Sequence, residues 1–352
     1  MKTLLELYTD LDEEIWDYYK SVDPHTNLNN PFSAGNNLID HKNFIKNYFG
    51  CSGKREILND FKQYFPNDNE RSIHTNSVFF FGILLRENTI LKKKLFNDAR
   101  SQRDYPLFPF IWFLSILFHD HAMGIEDNSK DYLNQIKSIQ DVYKVFDIKY
   151  KLFELKNIAS NQFSELISNY FHHRRYSSKK IDHGILAGIY FYDRLVKIRK
   201  KKAKVADSEL NWNVSLEKHY CLAATAIACH NIWTVAKMSS YEADYIKFEL
   251  HDLIVPDFKE ISINNFPLLF LFGLVDSIDP IKIYTREGHK PDEILNKIQI
   301  EFSENSFTLK NKIDSNLNFQ TIVRAASGLC GWLAVNITHS PSNELLIEFK
   351  IT

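Results

Sequence analysis

Six ionisable residues sit on, or close, the most apolar segments of this 352-residue chain. They are His74 in RSIHTNSVFFFGILL, His119 and Asp120 in FIWFLSILFHDHAMG, His183 in IDHGILAG, His230 in LAATAIACHNIW and Asp276 in PLLFLFGLVDSIDP. An ionisable group among apolar neighbours costs free energy unless it is paired or ligates something. Neutral imidazoles and carboxylates are the ligands of Mn, Fe, Ni, Zn or Mg, and no thiolate is required. An Asp beside a His can bridge two metals while the His caps one of them. Four His and two Asp suffice for two divalent ions. Such a pair, roughly 3.5 to 4 Å apart, activates a water and clamps a phosphoryl group. Taken singly, each residue has an ordinary explanation as a core histidine, a turn former or a helix cap. The case rests on all six together.

The elements that must position them are helices. Successive members of the set are separated by 45, 63, 47 and 46 residues, about one helix plus its connection, so a bundle can point all six into one cavity. Apolar spacing predicts a first helix over residues 1–19 and a polar loop over 20–42. Core helices are expected at Asn76–Glu87, Pro109–Phe118, Ser164–Tyr170, Gly184–Ile198, Leu216–Trp233 and Phe266–Asp276. Past residue 290 the texture changes. Ile298, Ile300 and Phe302, then Phe307 and Leu309, alternate with polar residues around the turn-like SENS. A helix-like stretch from Phe319 to about Trp332 follows, and Ile347, Phe349 and Ile351 close the chain in strand alternation. The expected fold is mainly α: a helical bundle over residues 1–285 with a small α+β appendage over 290–352.

Composition removes several classes of function. The formal net charge is -1, which argues against a dedicated cationic nucleic-acid binder. Eleven glycines, without GxGxxG or GxxxxGK[ST], give no support to a phosphate-cradling loop. Four scattered cysteines make neither a disulfide framework nor a thiolate zinc site. Asp10, Asp12, Glu13 and Glu14 interrupt the N-terminal segment where a secretory signal needs an apolar core. The apolar runs Leu107–Phe118 and Phe266–Val275 fall short of the roughly 18 to 20 residues that span a bilayer. The expectation is a cytoplasmic protein with no membrane partner.

The order H…HD…H…H…D, with HD closing an apolar helix and His183 within DHGILAG, resembles the HD-domain metal-dependent phosphohydrolase superfamily. The resemblance covers roughly residues 70 to 280. It implies an all-α fold and hydrolysis of a phosphoester of a nucleotide, cyclic nucleotide or oligonucleotide, with Asp120 and His119 at the catalytic centre. Carried over residue by residue, His74, His119, Asp120 and Asp276 hold one metal, and Asp120 bridges to a second held by His183 and His230. Two departures stand out. Many family members carry a Lys shortly after HD, whereas here HAMGIED follows and the next Lys is Lys130. The GYP motif of the cyclic-di-GMP phosphodiesterase branch is missing. A second HD dipeptide, His251-Asp252, lacks a preceding apolar helix.

A second tier surrounds these ligands. FHHRRYSSKK places His172, His173, Arg174, Arg175, Lys179 and Lys180 just ahead of DHG, where cations can grip phosphate oxygens or simply face solvent. His121 is read as an exposed residue or a neighbour of the ligands. Asp182 either orients a ligand imidazole or caps the helix. Asp279 is read as a structural residue before proline, and His219 and Cys221 as packing residues. Tyr170, Phe171 and Tyr176 are candidates for stacking a base. The basic run Lys197–Lys204 is either a solvated helix end or a nucleic-acid contact. That run motivates the alternative of a nuclease on single-stranded DNA or RNA. A third reading is a non-catalytic, metal-bound nucleotide sensor or scaffold.

Overall fold

Capping chemistry decides where the first helices begin. In the computed structural model the Thr3 hydroxyl accepts the N–H of Glu6 while the Glu6 carboxylate accepts the N–H of Thr3, a capping box that starts α1 (Leu4–Thr9). Asp12 then takes the N–H groups of Glu14 and Ile15 and starts α2 (Glu13–Lys20). The single helix expected over residues 1–19 is therefore two, preceded by a short strand, β1 (Lys2–Thr3).

The structure describes residues 1–21, 28–33, 37–50, 54–55, 57–58, 69–95, 107–154, 160–205, 212–232, 243, 246–250 and 260–351. The second HD dipeptide at 251–252 lies outside them. The chain continues through α3 (Leu38–Gly50), α4 (Asn69–Asn88), α5 (Leu91–Lys94), α6 (Leu107–Phe118), α7 (Met123–Asp127) and α8 (Ile139–Val145). It proceeds through α9 (Ser160–His173), α10 (His183–Lys202), α11 (Leu216–Cys229), α12 (Pro267–Ile278), α13 (Pro280–Tyr284), α14 (Pro291–Lys297) and α15 (Phe319–Ser327). The protein is mainly α with a small C-terminal antiparallel sheet.

Helices α6 and α12 are apolar all round because they are core helices. Every residue of α6 is buried. Together with the turn after it and α7, the stretch Leu107–Asp127 is long and apolar enough to cross a membrane by length and composition, yet 83% of that window is buried inside the protein. Two glycines let the helices close on one another. A Cβ at Gly82 would lie 2.0 Å from the Trp112 ring of α6. At Gly188 it would lie 2.5 Å from the Ala224 carbonyl and 2.8 Å from the Ala228 Cβ, so α10 and α11 pack nearly backbone to backbone.

Four further strands, β2 (Ile298–Ser303), β3 (Ser306–Asn311), β4 (Val335–Ser340) and β5 (Glu344–Phe349), join β1 in an antiparallel sheet of order β1-β2-β3-β5-β4. β2 and β3 form a hairpin closed by Ser303 opposite Ser306. β4 has no alternating pattern, with only Val335 buried in its six residues, and it becomes a strand by pairing with β5. The N-terminal Lys2 pairs with Ile300, so both ends of the chain share one sheet. One buried apolar cluster runs from Leu4 to Phe349 and joins the sheet to the helical body.

Candidate metal centre

Five helices deliver the six ligand candidates. His74 lies within α4, and His119 and Asp120 follow the last residue of α6. His183 opens α10 behind its N-cap Asp182, His230 is the C-cap of α11, and Asp276 lies in the last turn of α12. The end positions matter. Just beyond their helices, His119 and His230 fold back so that each Nδ1 donates to a carbonyl three residues earlier, Ile116 at 2.7 Å and Ile227 at 2.6 Å. The other two imidazoles are held by carboxylates: His74 Nδ1 on Asp279 at 2.8 Å and His183 Nδ1 on Glu126 at 2.5 Å.

All four Nδ1 partners are acceptors, so the network puts the proton of each neutral ring on Nδ1 and leaves Nε2 as a lone pair. These lone pairs converge on carboxylate oxygens. His74 Nε2 lies 3.2 Å from Asp276 Oδ1 and 3.9 Å from Asp120 Oδ2. His119 Nε2 lies 3.4 Å from Asp120 Oδ1 and 3.6 Å from Asp276 Oδ1. His183 Nε2 lies 3.2 Å from both Asp120 Oδ1 and His230 Nε2. Among the described residues, the buried Nε2 atoms of His74 and His119 and Oδ1 of Asp276 have one another and Asp120 as their near polar neighbours. Carboxylates this close to Nε2 call for a positive charge between them, supplied by a proton on the ring in the metal-free protein or by a metal ion in its place. Three groups have ligand atoms within 4.8 Å of one another: His74–His119–Asp120 and Asp120–His183–His230, which share Asp120, and Glu126–Asp182–His183 beside them.

The electrostatics report the same crowding of negative charge. Burial opposes a charge on His74, but hydrogen bonds to Asp276 and Asp279 outweigh it and push the imidazole up to about 9. His183 is likewise disfavoured by burial yet raised to about 10 by Asp120 and Glu126. His230 goes the other way, to about 3, through burial and the neighbouring His119 and His183. Burial would raise Asp120 and Asp276, but the histidines, and for Asp276 also Lys282, hold both well below the carboxylate range.

Glu126 holds a ligand candidate in place, and the sequence pattern did not reveal it. Its carboxylate accepts from the backbone N–H of His183 at 3.0 Å as well as from the ring, and Arg174 grips it at 2.6 Å. Despite burial, these partners hold it down to about 2. Its one sequence signal is its place in the continuation of HD, six residues after Asp120. Asp279, expected as a structural residue, caps α13 through the Lys282 N–H and also fixes His74, itself braced by Ser77 Oγ at 2.5 Å. Lys282 is a third such residue. Pro280 starts α13 and turns the chain so that the Lys282 ammonium reaches Asp276 Oδ2 at 2.6 Å. Gly184 makes room for the fourth imidazole, since a Cβ there would stand 2.8 Å from His230 Cε1.

A cavity of about 620 Å³ opens above the centre, with His74, Asp120 and His183 on its wall. Its cationic lining is Arg71, Lys180, Lys282 and Arg286. The cations expected there from the 172–180 loop are mostly placed elsewhere. Arg174 is spent on Glu126 and on Asp182 at 3.4 Å. Arg175 donates to the Ile136 and Leu133 carbonyls. His172 faces a separate depression beside Arg175 and Tyr176. His173 is buried against the Tyr170 ring, and exposed Lys179 sits 5.2 Å over Tyr176. The cause is local: a π-helical turn at Arg174–Ser178 and a left-handed Lys179 (φ 54°) carry these side chains around the loop, leaving Lys180 to reach the cavity.

His121 is buried, stacked 4.3 Å from the Phe118 ring, and burial lowers it to about 3. Asp182 caps α10 through the Ile185 N–H. His219 lies against Phe110, Cys221 is buried, and so are Tyr170 and Phe171. The basic run lies at the far end of α10, where Lys202 is about 28 Å from His183 at 1.5 Å per residue. Lys197 pairs there with Asp193, Arg199 with Glu217, and Lys200 sits over the Tyr150 ring.

Fold and site together define a mainly helical protein with a buried histidine–aspartate cluster of metal-binding chemistry. No family model, no curated protein and no solved structure matches the chain.

Proposed function

We propose that this protein is a binuclear metal-dependent phosphohydrolase of the HD type, acting on a phosphoester of a nucleotide, cyclic nucleotide or oligonucleotide. One observation carries the reading: four imidazoles locked through Nδ1 gather their Nε2 atoms around two carboxylates at the foot of a cation-lined cavity. His74, His119, Asp120 and Asp276 would hold one divalent ion, and Asp120, His183 and His230 the other. Ions of this kind supply a nucleophilic water at neutral pH and a clamp on phosphoryl oxygens.

The protein's own groups do the rest. Lys282 occupies one Asp276 oxygen and so leaves Oδ1 facing the imidazoles. Lys180 and Arg71 stand at the cavity with anionic neighbours of their own, Glu126 at 3.5 Å and Asp127 at 3.5 Å, so they are fixed in place as oxygen-binding cations. Lys180 and Lys282 supply the ammonium groups that the segment following HD lacks. The lysines of the 197–204 run do not line the cavity, so a small phosphoester is favoured over a long strand.

The test couples metal analysis of the purified protein with a screen of phosphoesters in Mn²⁺, Ni²⁺ or Mg²⁺. About two ions per chain and turnover of at least one ester are expected. Asp120→Ala should remove activity and most of the metal. Full phosphohydrolase activity in that variant overturns the mechanism.

A further inference from the structure

Part of the cavity wall comes from the other end of the chain. Ala325, Gly328 and Leu329, in and just after α15, line it together with Ile283 of α13. Ala325 and Gly328 are one helical turn apart and small, so this face leaves open space where large side chains would fill it. The wall is anchored: Tyr284 donates to the Asn318 carbonyl at 3.2 Å, and Thr321 Oγ1 bonds Glu287 at 2.8 Å. Those bonds tie α15 to the turn that carries Arg286. Arg286 is exposed and lines the cavity. Among the described residues it has no ion pair, whereas Arg71, Lys180 and Lys282 each have one. The two acids on the cavity wall are already engaged, Asp120 by imidazoles and Glu126 by His183 and Arg174. Arg286 is thus a surplus cation facing an apolar, roomy wall.

Building on the phosphohydrolase reading, we propose that the C-terminal unit is the substrate-selecting wall of this site, and that Arg286 receives a second anionic group of the substrate. The substrate class is then a nucleoside-sized phosphoester with anionic groups at two separate positions. The small wall residues admit the nucleoside body, and the metal ligands and Arg286 address its two ends.

The experiment compares three probes on the metal-loaded full chain: p-nitrophenyl phosphate, a nucleoside monophosphate and a nucleoside 3′,5′-bisphosphate. Arg286→Gln should lower kcat/KM for the bisphosphate about tenfold, the worth of one charge-assisted contact, and leave the other two within about twofold. Ala325→Phe should lower kcat/KM for both nucleosides about tenfold or more by filling the cavity, and spare p-nitrophenyl phosphate. Equal losses on all three probes, or no loss on any, overturn the proposal. Should the wild type hydrolyse none of them, the phosphomonoesterase form of the reading fails separately. Calorimetric affinities of the same nucleotides for the loaded protein then decide the wall. A bisphosphate preference lost in Arg286→Gln supports it, and equal affinities in wild type and variant overturn it. Metal content and circular dichroism of each variant guard against misfolding.

Discussion

The two halves of the centre are built alike but finished differently. Each pairs an imidazole held by its own helix's carbonyl, His119 or His230, with one held by a carboxylate, His74 by Asp279 or His183 by Glu126. Asp120 stands between them. The His74 half has a further ligand candidate, Asp276, whose second oxygen is fixed by Lys282. Among the described residues the His183 half has no matching fourth candidate beside Asp120, and next to it stands the Asn231 amide, 3.1 Å from His183 Nε2. Four protein ligands close a coordination sphere, while three leave positions open to water or substrate. On the binuclear reading proposed above, the His74 half would be the retaining site and the His183 half the exchanging one.

Single-ligand losses should separate the halves most strongly. His230→Ala leaves only two protein ligands on its side, so the dialysed protein should keep about one metal and lose activity by on the order of a thousandfold, the several kcal/mol a metal ion contributes. His119→Ala leaves three on its side and should keep both ions at weaker affinity. Elemental analysis after dialysis measures this directly. Loss of both ions from His119→Ala alone, with His230→Ala retaining both, would reverse the assignment.

How much of this was legible beforehand follows the same division between ligands and their supports. His74, His119, Asp120, His183, His230 and Asp276 stand out because a charged or polar group interrupting an apolar helix is rare and chemically expensive. Glu126 and Lys282 lie in short, mixed-polarity segments where a charge is unremarkable, and only the turns at Ala122 and Pro280 bring them back to the ligands. The 172–180 loop misleads for the opposite reason. Its cations look available in one dimension, yet Arg174 and Arg175 are consumed in fixing the loop to Glu126 and to the Leu133 and Ile136 carbonyls. Among the elements, the core helices announce themselves by periodicity. The break at Asp12 depends on one cap and β4 on a pairing partner, neither of which a local pattern contains.

The supporting carboxylates offer a smaller and more selective probe. Asp279→Asn and Glu126→Gln keep an acceptor oxygen near Nδ1 but remove the charge that makes the ring a better ligand. Substitutions at such positions typically cost about 10- to 100-fold in metal affinity. Asp279→Asn should weaken the ion of the His74 half and Glu126→Gln that of the His183 half, as read by competition with a chelating dye. A uniform loss of both ions from either variant would mean that the halves act as one unit.

The gentlest perturbation is pH, and its sign follows from the two raised imidazoles. In metal-free protein His74 and His183 are held at about 9 and about 10, above the 6.5 of an ordinary histidine. Protons on these rings offset the carboxylate cluster, so their stabilisation is complete below pH 6.5 and is lost as pH rises through 9 to 10. Bound cations do the same work without protons. The Tm of chelator-treated protein should therefore fall between pH 7 and pH 10, while the metal-loaded protein should hold its Tm more nearly constant over that range. Because each ion must displace the proton of its imidazole, metal affinity should in turn weaken on acidification from pH 9, and weaken in both halves since each contains one raised histidine. Removing His74 by substitution with Gln should flatten only its own share of the Tm slope, leaving the share of His183. Parallel Tm curves for the chelated and loaded protein would show that the negative cluster is compensated by something other than these two rings.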